Sequence, residues 1–177
     1  DLQVSDAVHW LATRTAQHNF GPVSNRDNTL YTACRPGDPP GKTDAVSDET
    51  VADWIRFMKD QDIQKVISLL DEDEYANYDT DLRQQYTDGG LQYLCQPLRD
   101  PGASTHVLQY IEEACDNHEK VIAHCTGGVG RAGRVAAAWL VHHYGLTPLE
   151  ATQETLAAAE QAATHRKGDA DALAAWL

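Results

Sequence analysis

Cys125 and Arg131 are separated by Thr126, Gly127, Gly128, Val129 and Gly130. Glycine at three of those positions lets a main chain fold closely around an anion without Cβ clashes. The run Lys120 to Ala123 ahead of it reads as a buried strand, and Arg131 to Tyr144 reads as a helix ended by Gly145. The turn between them therefore sits at a helix N-terminus, where successive N–H groups form a nest and the helix dipole adds partial positive charge. Such a turn suits a phosphate. The same field favours the thiolate form of Cys125, which is the nucleophilic form. Arg131 has a planar fork able to hold two phosphate oxygens at once. His124, at the end of a buried strand, is expected to orient the loop by hydrogen bonding rather than to act as a base.

Displacing a phosphoryl group also calls for an acid to protonate the departing alkoxide or phenoxide, on a loop that closes over substrate. Asp100 is the candidate. It follows a predicted strand, Leu91 to Cys95, in the segment Gln96 to Gly102, which Pro97, Pro101 and Gly102 mark as a surface loop. Plainer readings exist for both residues: Cys125 as a buried structural thiol, and Asp100 as a turn residue before proline.

Together these residues resemble the cysteine-dependent protein tyrosine phosphatases, through their His-Cys-x5-Arg signature at 124–131, and specifically the small dual-specificity branch. The resemblance extends to Asp100 at the acid-loop position, to Phe20 to Val23 and Leu30 to Tyr31, and to the strand Val66 to Leu70. It implies a two-step reaction that needs no metal and no other cofactor. Cys125 attacks phosphorus, Asp100 protonates the leaving group, and water hydrolyses the phosphocysteine with Asp100 as base. Thr126, Gly127, Gly128, Val129, Gly130 and Arg131 would bind the phosphate. Ala132 departs from the pattern, since the family usually has Ser or Thr there to stabilise the departing thiolate, and slow breakdown of the intermediate is the expectation. The family's glutamine-containing water-positioning segment and its long phosphotyrosine-recognition loop are not identifiable.

A different motif overlaps the same stretch. Gly128, Gly130 and Gly133, between a strand and a helix, match the dinucleotide-binding fingerprint. That fingerprint needs an acid about twenty positions on, at the end of a second parallel strand. Glu150 has the spacing, but it reads as part of a helix start, with Thr147 as N-cap, Pro148 at the first helical position and Glu150 closing a capping box. The phosphate-loop reading is preferred. The histidines and the four cysteines show no spacing typical of zinc, and His142 and His143, adjacent on a helix, are expected to point in different directions.

Helices and strands alternate around these groups. Ser47 to Lys59 places Val51, Trp54, Ile55 and Met58 on one helical face and feeds a strand from Lys65 to Leu70. Asp71 to Tyr86 reads as an acidic, aromatic helix bordering the site. Ala103 to Asn117 is a helix linking the acid loop to the Cys125 strand. The helix from Arg131 is apolar nearly all round from Val135 to Val141, so it is expected at the centre of the core. Leu149 to Ala163 and Asp169 to Leu177 close the chain as alanine-rich helices. The pattern predicts an α/β fold with a central, mostly parallel sheet of about four to five strands and helices on both faces. At 177 residues the chain suits a single domain, 1–177, with an N-terminal helical extension over 1–28 that includes a helix at Asp6 to His18. The run Arg35 to Gly41 reads as a loop, which the family resemblance implies lies near the substrate mouth, so that Arg35 is expected there as an exposed cation adding positive potential.

Lys and Arg total 14 against 27 Asp and Glu, a formal net charge of −13. Such a surface repels nucleic acid. With abundant alanine and scarce lysine it reads as adaptation to molar salt, where the Debye length falls to about 3 Å. No apolar stretch approaches the roughly twenty residues that span a bilayer, and no basic leader precedes an apolar run. A cytoplasmic, halophilic monomer without membrane or nucleic-acid partners is expected. Its expected activity is hydrolysis of phosphotyrosine, with phosphoserine and phosphothreonine as further targets, on a phosphorylated protein substrate. The loop after Cys125 holds no lysine, which argues against highly charged inositol phosphates unless a rim arginine supplies the charge. The alternatives are a phospho-residue-binding module with little turnover, and a phosphatase of a small phosphorylated metabolite or inositol phosphate.

Overall fold

The computed structural model describes residues 16–37 and 45–177. Most of the helix expected at Asp6 to His18, and the end of the loop expected from Arg35 to Gly41, lie outside the described residues. Five strands form one sheet in the order β1-β2-β5-β3-β4: β1 (Gly21–Pro22), β2 (Leu30–Cys34), β3 (Ile63–Ser68), β4 (Gln92–Cys95) and β5 (Lys120–Cys125). The β2–β5, β5–β3 and β3–β4 pairings are parallel, and β1 adds an antiparallel edge. Parallel neighbours need crossovers. These are made by α1 (Asp48–Asp60), α2 (Leu82–Asp88) and α3 (Ala103–Asp116), while α4 (Gly130–Tyr144), α5 (Pro148–Gln161) and α6 (Ala170–Trp176) follow β5. Ahead of β1 the described chain makes a 3-10 turn at Gln17–Asn19.

Local chemistry accounts for the helix limits. The Ser47 hydroxyl accepts the Thr50 N–H at 3.2 Å and opens α1, whose buried residues Val51, Trp54, Ile55 and Met58 keep the expected spacing. At α5, Thr147 accepts the Glu150 N–H and Glu150 accepts the Thr147 N–H, so the acid that the dinucleotide reading would need is a capping group. α4 is buried at Ala132, Gly133 and every residue from Val135 to Leu140, and it stops at Gly145 with φ +70°.

The segment Asp71 to Tyr86 is not one helix. A 3-10 helix spans Glu72–Asn77, Tyr78 then bridges to Val46, and α2 begins after Asp81, whose carboxylate accepts the Arg83 N–H. Tyr75, Tyr78, Leu82 and Tyr86 are all buried on either side of this break, and the Asp81 cap opens α2.

Two apolar clusters cover the two faces of the sheet. On one, Leu30, Ile67, Val121 and Ala123 meet α3 and α4 through Val107, Ile111, Val135 and Trp139; on the other, Val66 and Ile122 meet α1 and α2 through Trp54, Met58 and Tyr86. His124 lies in the second layer, its ring 5.6 Å from Trp54 and edge-on to it. Its Nδ1 is 3.3 Å from the Cys125 carbonyl, which can only accept, so Nδ1 carries the proton and Nε2 accepts from the Tyr86 hydroxyl at 2.7 Å. Complete burial holds the His124 pKa down to about 4.

The connection from α5 to α6 runs back against the turn after β5. The Lys167 N–H donates to the Val129 carbonyl at 3.1 Å. The Asn19 amide donates to the carbonyls of Gly127 and His165 and accepts the His165 N–H. Arg166, buried, donates to Thr32 and to the Asn19 carbonyl. Gly133 faces this strap so closely that a Cβ there would collide with the Lys167 carbonyl oxygen.

Two expectations follow. Gly133→Ala should destabilise the protein by about 1–3 kcal/mol, because a pinned backbone cannot yield to the added methyl. Gly130→Ala, which meets open space, should be neutral or gain about 0.5–1 kcal/mol. Urea midpoints that rank the two variants the other way would refute the close approach. The second concerns pH. Because the folded pKa of His124 lies below the unfolded value near 6.5, the unfolded chain takes up the proton first, and stability is lost as pH falls from about 6.5 to 4, by on the order of 3 kcal/mol from this group. Urea titrations at pH 7 and 4.5 should show His124→Gln with a shallower pH dependence than wild type; equal slopes would contradict the assignment.

Candidate active site

β2, β3, β4 and β5 all point their carboxyl ends to one edge of the sheet, the edge at which open α/β sheets bind ligands. The residues singled out from sequence gather there because each follows one of those strands. Cys125 ends β5 and is 3% exposed. The turn behind it is fixed from several directions. Gly128 takes φ +73° and packs where a Cβ would strike the backbone of Ala33 and Cys34. The Thr126 carbonyl accepts the Arg35 N–H, the Gly127 carbonyl accepts the Asn19 amide, and the Val129 carbonyl accepts the N–H groups of Gly133 and Lys167. With these carbonyls occupied, none of the N–H groups from Thr126 to Arg131 donates to a described residue. A run of unpaired amides at the start of a fifteen-residue helix is an anion cradle.

Arg131 meets a partner that sequence reading did not identify. Its two terminal nitrogens donate to the two carboxylate oxygens of Glu74 at 2.7 and 2.9 Å, and additionally to the Leu69 carbonyl and the Thr126 hydroxyl oxygen at 3.1 Å each. Glu74 accepts two further bonds, from the Thr126 hydroxyl at 2.7 Å and the Asp71 N–H at 2.7 Å. Burial alone would raise the Glu74 pKa, but the hydrogen bonds from Arg131 and Thr126 outweigh it and hold the carboxyl down to about 2. Among the described residues, acceptors meet every guanidinium donor except Nε–H, so Arg131 presents the edge of its fork rather than its end. The spacing Asp71-x-x-Glu74 carries a capping signature, yet nothing local links Glu74 to an arginine 57 positions away.

Asp100 is exposed in the loop after β4, and with Arg131 it lines a cleft of about 920 Å³. The loop is tied on both sides: Arg99 pairs with Asp71 at 3.0 Å, and the Trp176 indole N–H of α6 donates to the Leu98 carbonyl at 2.9 Å. Arg35 is not the exposed cation expected. It is buried, 4% exposed, with its guanidinium over the Tyr78 ring, because the bridge at Val46 and Tyr78 closes over it. His142 and His143 both approach Glu112, at 3.1 and 3.9 Å, rather than diverging. Chemically, the edge combines the Cys125 thiol, the free amides of the turn that follows it, a guanidinium held by Glu74 and a carboxylate lining the same cleft as that guanidinium, groups able to bind a phosphate monoester and displace its leaving group.

Known structures share this architecture. Kinase associated phosphatase (KAP), bearing a serine in place of its catalytic site cysteine, matches with a TM-score of 0.68 at 19% identity over 85% of this chain and 89% of its own. PTPMT1 in complex with PI(5)P matches at 0.64 and 15% identity over 89% and 93%. TpbA of P. aeruginosa in complex with pTyr matches at 0.53 and 19% identity over 83% and 84%. A search of curated protein sequences found no significant match. The family described as "Polymorphic toxin system, DSP-PTPase phosphatase" matches residues 40–145, from ahead of α1 to the end of α4. With the signature loop and most of the sheet inside that match, the chain belongs to this DSP-PTPase family and is a cysteine-dependent phosphatase of the protein tyrosine and dual-specificity kind.

Proposed function

We propose that the protein hydrolyses phosphotyrosine on a protein substrate through a phosphocysteine intermediate, without a metal. The observation that carries the reading is that Cys125 ends β5 ahead of a run of amides that donate to no described residue, while Arg131 and Asp100 line one cleft at the same edge of the sheet. In the first step the Cys125 sulfur attacks phosphorus, the bond to the leaving oxygen breaks, and Asp100 gives that oxygen its proton. The loop amides and the Nε–H of Arg131 take the charge that builds on the equatorial oxygens. In the second step water attacks the phosphocysteine, Asp100 accepts its proton, and the thiolate leaves. Glu74 acts through Arg131, keeping its plane fixed. The complex of TpbA with pTyr supports phosphotyrosine as the target, and that of PTPMT1 with PI(5)P supports the inositol phosphate alternative.

The test is hydrolysis of p-nitrophenyl phosphate with EDTA, in low salt and in molar KCl, the latter being the condition to which the acidic surface points. Wild type should turn over and Cys125→Ser should not; comparable rates would dismiss the nucleophile. Asp100→Ala should lower kcat by about 10²–10⁴, most for poor leaving groups. A loss of only a few-fold would reassign the acid.

Ala132 is fully buried at the start of α4, in contact with the apolar cluster, so the hydroxyl found there in the resembling family has no counterpart at that position. Ala132→Ser is expected to shorten the lifetime of the phosphocysteine, read as a smaller burst in rapid-quench kinetics. An unchanged burst would show that the missing hydroxyl does not limit turnover.

A further inference from the structure

The Asp100 carboxylate has no hydrogen bond or ion pair with a described residue, so the loop that carries it decides where the proton donor stands. That loop, Pro97 to Gly102, leads from β4 into α3. Two of its ties, from Trp176 to Leu98 and from Arg99 to Asp71, lie ahead of Asp100. Behind it the chain turns tightly, with the Asp100 carbonyl accepting the Ala103 N–H at 3.1 Å, and enters α3 at Gly102, which has φ +77° and supplies no side-chain cap. The trailing side of the loop therefore lacks the hydrogen bond that a Ser or Asp cap would give it.

His106 stands where that side can be held. Side chains on a helix lean towards its N-terminus, so a residue on the first turn of α3 reaches back over the loop that feeds it. The His106 ring packs on Gly102, so that a Cβ on the glycine would meet Cε1 at 3.7 Å and Nε2 at 3.8 Å. Its Nδ1 lies 3.0 Å from Oε1 of Gln96. Nε2 of Gln96 donates to the Pro97 carbonyl at 3.1 Å, which leaves Oε1 for the ring, and since an amide oxygen can only accept, Nδ1 carries the proton. Gln96 is itself fixed. It is 7% exposed, and its N–H extends the β3–β4 ladder by donating to the Ser68 carbonyl at 2.9 Å. One imidazole thus joins the sheet to the first turn of α3 and closes the neck of the loop, with Asp100 inside it.

We propose that His106 is a positioning residue for the general acid: by clasping Gln96 it holds the Asp100 carboxyl where it can protonate the leaving oxygen. This rests on the catalytic reading above. A loop freed at its neck leaves Asp100 chemically intact but misplaced, and a misplacement of about 1 Å can cost on the order of 10²-fold in rate. The loss falls on substrates that need the proton. It is greatest where the leaving group is a weak acid and small where the departing oxygen is already a stable anion.

The experiment compares phenyl phosphate with p-nitrophenyl phosphate through kcat/KM, which includes cleavage of the bond to the leaving group and excludes breakdown of the phosphocysteine. In His106→Leu, which keeps the bulk and loses the donor, the value for phenyl phosphate should fall by about tenfold or more and that for p-nitrophenyl phosphate by less than about threefold. His106→Asn, whose amide nitrogen can take the place of Nδ1, should restore most of the difference. In an Asp100→Ala background His106→Leu should cost nothing further, because a residue that acts through Asp100 has nothing left to place. Losses that do not differ between the two substrates, or a loss that persists in full without Asp100, would overturn the proposal. Should wild type hydrolyse nothing, or Asp100→Ala fail to discriminate between the substrates, the catalytic reading fails alone. Amide hydrogen exchange then decides the clasp: the Asp100 and Ala103 amides should exchange about tenfold faster in His106→Leu than in wild type and His106→Asn, and equal exchange would overturn it.

Discussion

Arg131 sits with its side chain only 31% exposed, at the rim of a sheet whose edge must also receive a dianion, and Glu74 makes that position tenable. A half-buried guanidinium without a counter-charge would lose hydration and would swing towards any carboxylate in reach, of which this chain has many. The bidentate pair with Glu74, backed by the Leu69 carbonyl, removes that freedom. Its energetic worth matters less than its geometry, since partly exposed pairs add little net stability. By occupying the terminal nitrogens, Glu74 determines which edge of the guanidinium meets phosphate. By accepting the Thr126 hydroxyl and the Asp71 amide, it also joins the turn after β5 to the segment after β3. The two loops are thereby one rigid unit, and Arg99 extends it to the loop of Asp100 through Asp71.

The parts of this arrangement written in short stretches of chain were readable from sequence. Glycine spacing around Cys125 and Arg131, the Ser47 and Thr147 caps and the apolar run of α4 each act over a few residues, and residue type alone conveys their physics. The parallel sheet followed from the alternation of such segments. Asp100 was legible as a loop residue after a strand, and the structure sets it at the cleft with Arg131.

What was not legible depends on chain segments far apart in sequence. The pairing of Glu74 with Arg131 joins β3's loop to α4, and the fastening of the phosphate turn by Asn19, Arg166 and Lys167 joins both ends of the described chain. Arg35 looked exposed because it lies among prolines and glycines, yet the bridge from Val46 to Tyr78 buries it. The segment Asp71 to Tyr86 misled for a related reason. Its aromatic spacing suits a helix, but the chain leaves helical geometry at Tyr78, which bridges to the distant Val46, and restarts at the Asp81 cap.

The contact between Gly133 and the Lys167 carbonyl has an evolutionary reading. The family match ends at residue 145, so one partner of the contact lies in the shared segment and the other in the C-terminal strap beyond it. Position 133 and the length of the α5–α6 connection therefore cannot drift independently. A lineage that lengthens or reroutes the strap releases the glycine, and a lineage that acquires a side chain at 133 must first move the strap. In this chain, then, one glycine on the helix after the signature loop sets how closely the wall of the cleft can approach it.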